Sequence, residues 1–320
     1  MNRCYESFAG LALTLAVGAV IAQPYPSRPI RIVVPNASSG LADIATRLVA
    51  AKLTESLGQQ VLVENRPGAG GTIGTSLAIK AAPDGYTLLS VFDSHATNPS
   101  LFKNLEYDTL ADLAPISLMV KGPMMLVVNT GLGVGSVGEF VKLAKSRPGA
   151  INFATVGPGS PARLMMEMFK LVAGIDVMMV PYKGAGSALS ELVGGQVDAM
   201  FATVPSVSSH VKAGRLKPIA ITSEKRSSIA PDIPTMSESY PGFKTEAWVG
   251  MLAPARTPAE IIARLNAEVV KIVHLPDVRQ RFAEQGLEPV GSTPAQFDQW
   301  LRTEIERWGK VIRERHITIE

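Results

Sequence analysis

Cysteine is almost absent from this chain of 320 residues: Cys4 is the single one, and it lies near the N-terminus. A product lacking that segment holds no cysteine, which excludes disulfide bonds, thiolate metal sites and cysteine nucleophiles. Lysine and arginine are scattered, with no basic block interleaved with aromatic residues, and the net charge is only +3. We therefore expect no nucleic-acid partner.

The motifs of common enzyme classes are also missing. The sequence contains neither a Walker A phosphate loop nor a Gly-x-Ser-x-Gly nucleophile turn. Gly68-Ala69-Gly70 begins like a dinucleotide-binding fingerprint, but Ile73 occupies the place of its last glycine. The histidines lack metal-ligand spacing; they are His95, His210, His274 and His316. These absences predict no cofactor, no metal and no catalytic residues.

The first 22 residues have the pattern of an export signal. Arg3 gives a basic start, residues 9–21 are apolar, and Val20-Ile21-Ala22 fits a cleavage site before Gln23. The apolar run is shorter than the ~20 residues of a spanning helix, although a retained membrane anchor is the alternative. We expect a cleaved signal peptide and a periplasmic product, with no later membrane span.

Beyond Pro29, short apolar runs alternate with amphipathic stretches, which is typical of an α/β protein. The predicted strands are residues 30–34, 61–64, 87–92, 126–128, 151–154, 177–180, 199–201, 218–222 and 249–253. The predicted helices are residues 41–57, 72–81, 137–146, 161–172 and 187–193. Thr257 with Glu260 and Thr293 with Gln296 fit the capping-box pattern at the start of two further helices.

No linker marks a single domain boundary. We therefore expect a discontinuous division, in which residues 23–122 and 246–320 form lobe 1 and residues 123–245 form lobe 2. The chain would cross between the lobes within residues 118–129 and 244–254, and the C-terminal helices would pack back on lobe 1.

Three strand-to-helix loops carry small or hydroxyl residues that suit an anion; they span residues 35–40, 155–161 and 181–187. Free N–H groups and the helix dipole favour a carboxylate at such places, with ordinary helix capping as the alternative for each loop. Because the pattern occurs three times, it indicates a ligand-binding cleft. The candidate residues are Asn36, Ala37, Ser38, Ser39, Thr155, Gly157, Gly159, Ser160, Tyr182, Lys183 and Gly184.

Residues 91–99 form a fourth candidate loop, also after a strand. Polar groups at the carboxyl end of a strand in an open α/β sheet lie where ligands usually bind, so Asp93, Ser94 and His95 are further candidates. Asp93 would accept hydrogen bonds from a ligand amine or, alternatively, cap the following turn. His95 would contact the ligand or be a solvated or capping histidine. A periplasmic hydrolase or isomerase working through Asp93 and His95 is the rival hypothesis.

Glycine-rich turns at residues 64–71 and 82–87 allow close backbone approach to a ligand. With the segments at 25–30, 180–184, 194–198, 252–258 and 308–310, they form a set that extends to the last helix. This set resembles the tripartite tricarboxylate transporter receptor family, the Bug-type periplasmic solute-binding proteins. The resemblance implies a two-lobed α/β fold of the type II periplasmic binding protein, which clamps a small carboxylate between its lobes. It also implies membrane permease subunits as partners and a monomeric receptor, with a stand-alone sensor as the alternative.

The chain departs from the family pattern near the expected cleft. The first loop of the family usually reads Pro-Phe-Ala-Pro-Gly-Gly, whereas Asn36, Ser38 and Ser39 stand here, and Asp43 is retained. Arg163 replaces a common histidine and Ala202 a common aspartate. Arg163 would bind a second carboxylate if it faces the cleft, or be an ordinary surface residue if it faces out. The ligand is thus left open among a di- or tricarboxylate, an amino acid and an aromatic carboxylate.

Overall fold

The structure of the protein is a computed structural model that describes residues 25–38, 40–156, 160–182, 184–228 and 230–318. The expected signal peptide lies outside the described residues. So do four of the candidate site residues, namely Ser39, Gly157, Gly159 and Lys183.

The described residues form ten strands and eleven α-helices in largely alternating order. The strands are β1 (Ile30–Val34), β2 (Val61–Asn65), β3 (Thr87–Phe92), β4 (Leu113–Asn129), β5 (Asn152–Val156), β6 (Met178–Tyr182), β7 (Ala199–Thr203), β8 (Leu216–Ile221), β9 (Glu246–Pro254) and β10 (Glu288–Pro289). The helices are α1 (Leu41–Leu57), α2 (Thr72–Ile79), α3 (Ser94–Leu101), α4 (Val137–Ser146), α5 (Pro161–Ala173), α6 (Ala185–Val193), α7 (Val204–Lys212), α8 (Met236–Ser239), α9 (Ala259–Val273), α10 (Pro276–Glu284) and α11 (Pro294–Glu314).

The strands lie in two sheets that share β4. In the first sheet the order is β2-β1-β3-β9-β4; β1 is parallel to both β2 and β3, and β9 is antiparallel to its neighbours. In the second sheet β4 pairs with β7 and β8, and β5 lies parallel to β6 and β7. One continuous strand therefore connects the two halves of the molecule.

The pairing partner of β4 changes at a defined point. Residues up to Pro123 pair with β9, and those from Met124 onward pair with β7. Beside this change, Lys121 Nζ lies 2.7 Å from Glu246 Oε2. The expected boundary at residues 122/123 lies one residue before this change, and the one at 245/246 lies where β9 begins. The lobe division itself stays a prediction.

Apolar packing holds helices on both sheets. In the first sheet, Val49 and Leu53 of α1 and Leu265 of α9 are fully buried against the strands. In the second sheet, Phe169 of α5 is fully buried in one apolar cluster with Phe153 of β5 and Phe201 of β7. Burying each such side chain contributes about 1.5–3 kcal/mol relative to exposure, so these contacts fix the helices on the sheets.

Strand β4 is much longer than the predicted 126–128, and its early residues were missed. Pro115, Gly122 and Pro123 break the strand pattern in the sequence. In the structure, the register with β9 shifts between Pro115 and Ser117, and an irregularity of this kind accommodates a proline in a strand.

Two further expectations were wrong. Residues 94–101 are helix α3 rather than a loop, although Pro99 lies inside the helix; α11 packs against it and supplies tertiary support. Helix α9 has no capping box at Thr257, because Pro258 is its N-cap and Thr257 Oγ1 donates instead to the Pro254 carbonyl at 2.7 Å. The capping box at Thr293 is confirmed. No helix in the described part of the chain has the length and apolarity needed to cross a membrane.

Candidate functional site

Two adjoining cavities open where the strands of the first sheet face the helices of the second. Cavity A has a volume of about 580 Å³ and lies at the carboxyl ends of the parallel strands β1, β2 and β3. Cavity B has a volume of about 320 Å³ and extends toward β7 and α6. Both are lined by Phe92, Asp93, Ser160 and Pro161, so residues from each half of the molecule meet between them. Volumes of this size suit a small organic molecule.

The starts of five helices converge on cavity B. Its lining includes a residue at or next to the beginning of α1, α3, α5, α6 and α7: Leu41, Asp93, Ser160, Ala185 and Thr203. Only α5 of these five has a side-chain N-cap bond, in which the Arg163 N–H donates to Ser160 Oγ at 3.3 Å. The first N–H groups of a helix have no partner within the helix, and the dipole makes that end positive. The geometry of cavity B therefore favours an anion.

Asp93 sits at the junction of the two cavities. Its residue is 3% exposed, and neither carboxylate oxygen has a hydrogen-bond partner among the described residues. Burial raises the pKa of Asp93 well above its ordinary value, and the nearby backbone N–H groups of Ser94 and Asp93 oppose this only in part. Those N–H groups fall short of hydrogen-bond geometry, so the carboxyl group has unused acceptor capacity. Of the described residues that line the cavities, Asp93 is the only one with an ionisable side chain.

His95 is buried rather than solvated, which corrects one of its two alternative interpretations. Its residue is 3% exposed and neither ring nitrogen has a partner among the described residues. Burial lowers the pKa of His95 to about 4, so the ring is neutral at pH 7. His95 is not among the lining residues of either cavity, and it forms no hydrogen bond with Asp93. The geometry thus offers no proton relay between these two side chains.

Asp43 and Asn36 occupy the first loop and the start of α1. The Asp43 carboxylate accepts hydrogen bonds of 2.9 Å from Arg47 Nε and from Asn65 Nδ2, so it fastens α1 to the end of β2. Asn65 also donates to the Asn36 carbonyl at 3.1 Å. The side-chain Oδ1 of Asn36 is buried without a partner, and Asn36 lines cavity A. Asn36 thus lines cavity A with an enclosed, unpaired Oδ1, whereas the Asp43 carboxylate is occupied in holding the loop.

The cavities bring together only part of the predicted site. Among the candidates, the lining residues are Asn36, Ala37, Asp93, Ser94, Ser160 and Ala202. The described candidates that lie outside the lining are Ser38, Asp43, His95, Thr155, Arg163, Tyr182 and Gly184. Arg163 is half-buried, and its Nε is enclosed without a hydrogen-bond partner, so it is neither a cavity-lining residue nor an ordinary exposed one. A ligand role for these residues stays a prediction.

Several lining residues were not among the sequence candidates. Gly68, Ala69, Gly70 and Gly71 form one wall of cavity A, and Asn98 Nδ2 holds this turn by donating to the Gly70 carbonyl at 3.0 Å. Gly70 has φ of +64°, a conformation that L side chains rarely adopt. The glycine run indicated close backbone approach, but Asn98 was missed because its helix was interpreted as a loop.

The apolar wall of cavity B was also missed. It includes Met124, Met200 and Phe201, which belong to strands of the second sheet. In the sequence, apolar strand residues look the same whether they face the core or the cleft. Only the position of the sheet beside the cleft makes these residues part of its wall. Within the described ranges, no group of three or more metal-ligating side chains is present.

Two α/β halves joined by a shared strand, with a ligand-sized cleft between them, define a solute-binding protein. The chain belongs to the tripartite tricarboxylate transporter receptor family, whose model matches residues 45–317. It is 41% identical over 298 residues to the protein BugT of Bordetella pertussis, covering 92% of this chain and 91% of BugT.

Solved structures of the same kind resemble this one over nearly the whole chain. Rpa4515 of R. palustris with adipate superposes with a TM-score of 0.80 at 33% identity, covering 90% of this chain and 97% of that one. MatC of Rhodopseudomonas palustris with bound malate gives a TM-score of 0.76 at 33% identity, covering 90% and 100%. The expected two-lobed α/β fold of a periplasmic binding protein is thereby confirmed.

Proposed function

We propose that the protein is a periplasmic receptor that captures a small organic carboxylate between its two lobes. The receptor then delivers this ligand to the permease subunits of a tripartite tricarboxylate-type membrane transporter. The observation that carries the proposal is cavity B, where five helices begin and four of them lack a side-chain cap. Main-chain N–H groups at such positions bind a carboxylate without a fixed positive charge.

The architecture also suits capture by closure. Residues 23–122 with 246–320 form the proposed lobe 1, and residues 123–245 form lobe 2. The two lobes connect through β4 and through the segment that enters β9, and such connecting segments act as hinges in clamshell closure. Because Asp93 comes from one lobe and Ser160 from the other, a ligand in the cleft would contact both. The adipate and malate named for R. palustris relatives support carboxylates as the ligand class.

The proposed role is binding rather than catalysis. The cleft offers one unpaired carboxyl group, small residues and helix ends, and the described residues that line it include no histidine, lysine or cysteine. A nucleophile activated by an adjacent base, which covalent catalysis requires, is not found among them.

A thermal-shift screen of the purified protein against malate, adipate, citrate, benzoate and amino acids tests the proposal. A ligand at 100 times its dissociation constant should add about 2.7 kcal/mol to the free energy of unfolding. The proposal would be wrong if no carboxylate of the panel raised the melting temperature.

A pair of variants tests the role of the helix starts. Ala185→Asp places a negative charge at the first residue of α6, which lines cavity B, and should weaken carboxylate binding by about tenfold or more. Ser187→Asp places the same charge in the same helical turn but outside the lining. Both variants gain the same favourable dipole interaction, so equal losses of affinity would contradict a cavity-specific effect.

A further inference from the structure

The charges around the cleft are of two kinds. The helix starts at cavity B present positive ends of dipoles, and Asp93 lies among them with both carboxyl oxygens enclosed and unpaired among the described residues. A purely anionic ligand would satisfy the helix starts but leave Asp93 without a partner. A buried polar group without a partner is costly and calls for a specific explanation in a native structure, which a bound ligand would provide for Asp93.

The rest of the cavity B wall is apolar. Its apolar lining residues come from both halves of the molecule and are Leu41, Phe92, Met124, Leu189, Met200 and Phe201. A dicarboxylate or tricarboxylate would place its second charged group against this wall, where no described side chain offers a positive charge. Burying an unpaired charge there would be strongly unfavourable. An apolar group of the ligand, in contrast, gains free energy in proportion to the area it buries.

We propose that the ligand is a zwitterionic α-amino acid with an apolar side chain, whose ammonium group pairs with Asp93 while its carboxylate meets the helix starts. The apolar side chain then packs against the wall that includes Phe92, Met124 and Phe201. This inference rests on the proposed function, because it names the ligand class of the same cleft. In this inference, Asp93 makes the protein prefer an amino acid to the carboxylic acid that lacks only the amino group.

Matched ligand pairs provide the test. Leucine is compared with isocaproate and phenylalanine with hydrocinnamate, since the members of each pair differ only in the amino group. Isothermal titration of the wild-type protein should show tighter binding of the amino acid by about tenfold or more, as expected for a charge-assisted hydrogen bond. In Asp93→Asn this ratio should fall toward one, chiefly through weaker binding of the amino acid. Asp232→Asn, at an exposed aspartate outside both cavities, makes the same chemical change and should leave the ratio unaltered.

The pH dependence of wild-type binding gives a second readout that requires no variant. An ammonium group needs the ionised Asp93, so the affinity for leucine should rise with pH through the raised pKa of Asp93. A protonated Asp93 that donated to the ligand carboxylate would instead make the affinity for leucine fall as pH rises. The second pattern would overturn the inference.

The possible outcomes distinguish failure of the amino-acid inference from failure of the proposed receptor function. If isocaproate, hydrocinnamate or malate bind at least as tightly as the amino acids, the inference is overturned and the proposed receptor function stands. Preference for glutamate over leucine also overturns it, because the apolar wall would then not select the side chain. If no acid or amino acid binds, both the inference and the proposed function fail.

Discussion

Glu167 of α5 and Arg315, which follows α11, form an ion pair in which Arg315 Nε donates to Glu167 Oε2 at 2.9 Å. Helix α5 packs on the second sheet, whereas α11 packs on α3 and on β4. The N-terminus of α5 lines both cavities. The ion pair therefore ties one wall of the cleft to the C-terminal helix.

Breaking this pair should destabilise the protein. The Glu167 side chain is 9% exposed and the Arg315 side chain 30%, so solvent screens the interaction in part. We expect Arg315→Met to lower the free energy of unfolding by about 1–2 kcal/mol, less than the loss of a partner in a fully buried pair. Urea denaturation of Arg315→Met, Glu167→Gln and the double variant measures the coupling. Strictly additive effects would show that the two side chains do not stabilise each other.

Removing the charge of Asp93 should stabilise the ligand-free protein. Because burial raises the pKa of Asp93, ionising this group disfavours the folded state once the pH exceeds the unfolded value, and the penalty grows until the folded pKa is passed. We expect Asp93→Asn to raise the free energy of unfolding at neutral pH by about 1–3 kcal/mol. The extra stability of Asp93→Asn over the wild-type protein should shrink as the pH falls toward the pKa of Asp93 in the unfolded chain. Chemical denaturation at several pH values tests this, and a less stable Asp93→Asn at pH 7 would contradict it.

His95 should make the protein sensitive to mild acid. Its pKa falls from 6.5 in the unfolded chain to about 4 in the folded protein, so the unfolded chain takes up a proton that the folded protein excludes. Stability from this residue is complete above the unfolded pKa and declines as the pH falls toward 4, by about 3 kcal/mol in total. His95→Gln lacks this titration. Between pH 7 and pH 4.5, the wild-type protein should lose more unfolding free energy than His95→Gln, as measured by chemical denaturation at both pH values. An equal loss in the two proteins would show that His95 does not cause the acid sensitivity.

Gly250 should tolerate no side chain. A Cβ atom at this position would overlap the ring of Phe297, which packs edge to face on Trp248 with 5.9 Å between centroids. Both rings are fully buried, so we expect Gly250→Ala to lower the free energy of unfolding by about 1–3 kcal/mol or more.

Gly138 provides the matched control for that substitution. It lies on the exposed face of α4, where an added Cβ meets only Ser136 Oγ at 4.0 Å. Alanine is the better helix former, so Gly138→Ala in the first turn of α4 should stabilise the protein by up to about 1 kcal/mol. Urea denaturation measures the free energy of unfolding of both variants. If the two substitutions changed it in the same direction, the packing explanation for Gly250 would be contradicted.

The local patterns predicted the order of elements well. β1, β3, α1 and α4 have the predicted limits, because their apolar periodicity and end signals agree within each segment. The early residues of β4 and all of α3 were not found, because Pro115, Pro123 and Pro99 signal interruption locally. Pairing along β9 and packing of α11 override those signals in the folded protein.

The candidate site was predicted only in part for a related reason. The strand ends and helix starts of the sequence pointed to Asn36, Asp93 and Ser160, and the structure places all three at the cavities. The wall residues Met124 and Phe201 carry no local signal, since an apolar side chain on a strand looks the same whether it faces the core or a cleft. Asp43 had a suitable position but is engaged by Arg47 and Asn65.

The sequence by itself determined the α/β class, the family and three of the helix starts that suit an anion, those of α1, α5 and α6, because each depends on residues close together in the chain. Only the tertiary structure decided that the starts of five helices meet around one cavity and that Asp93 lies unpaired between them. That convergence depends on how β4 joins the two sheets and on which strand follows which across each sheet. Such pairings form between residues far apart in the chain, and local propensity and spacing do not specify them.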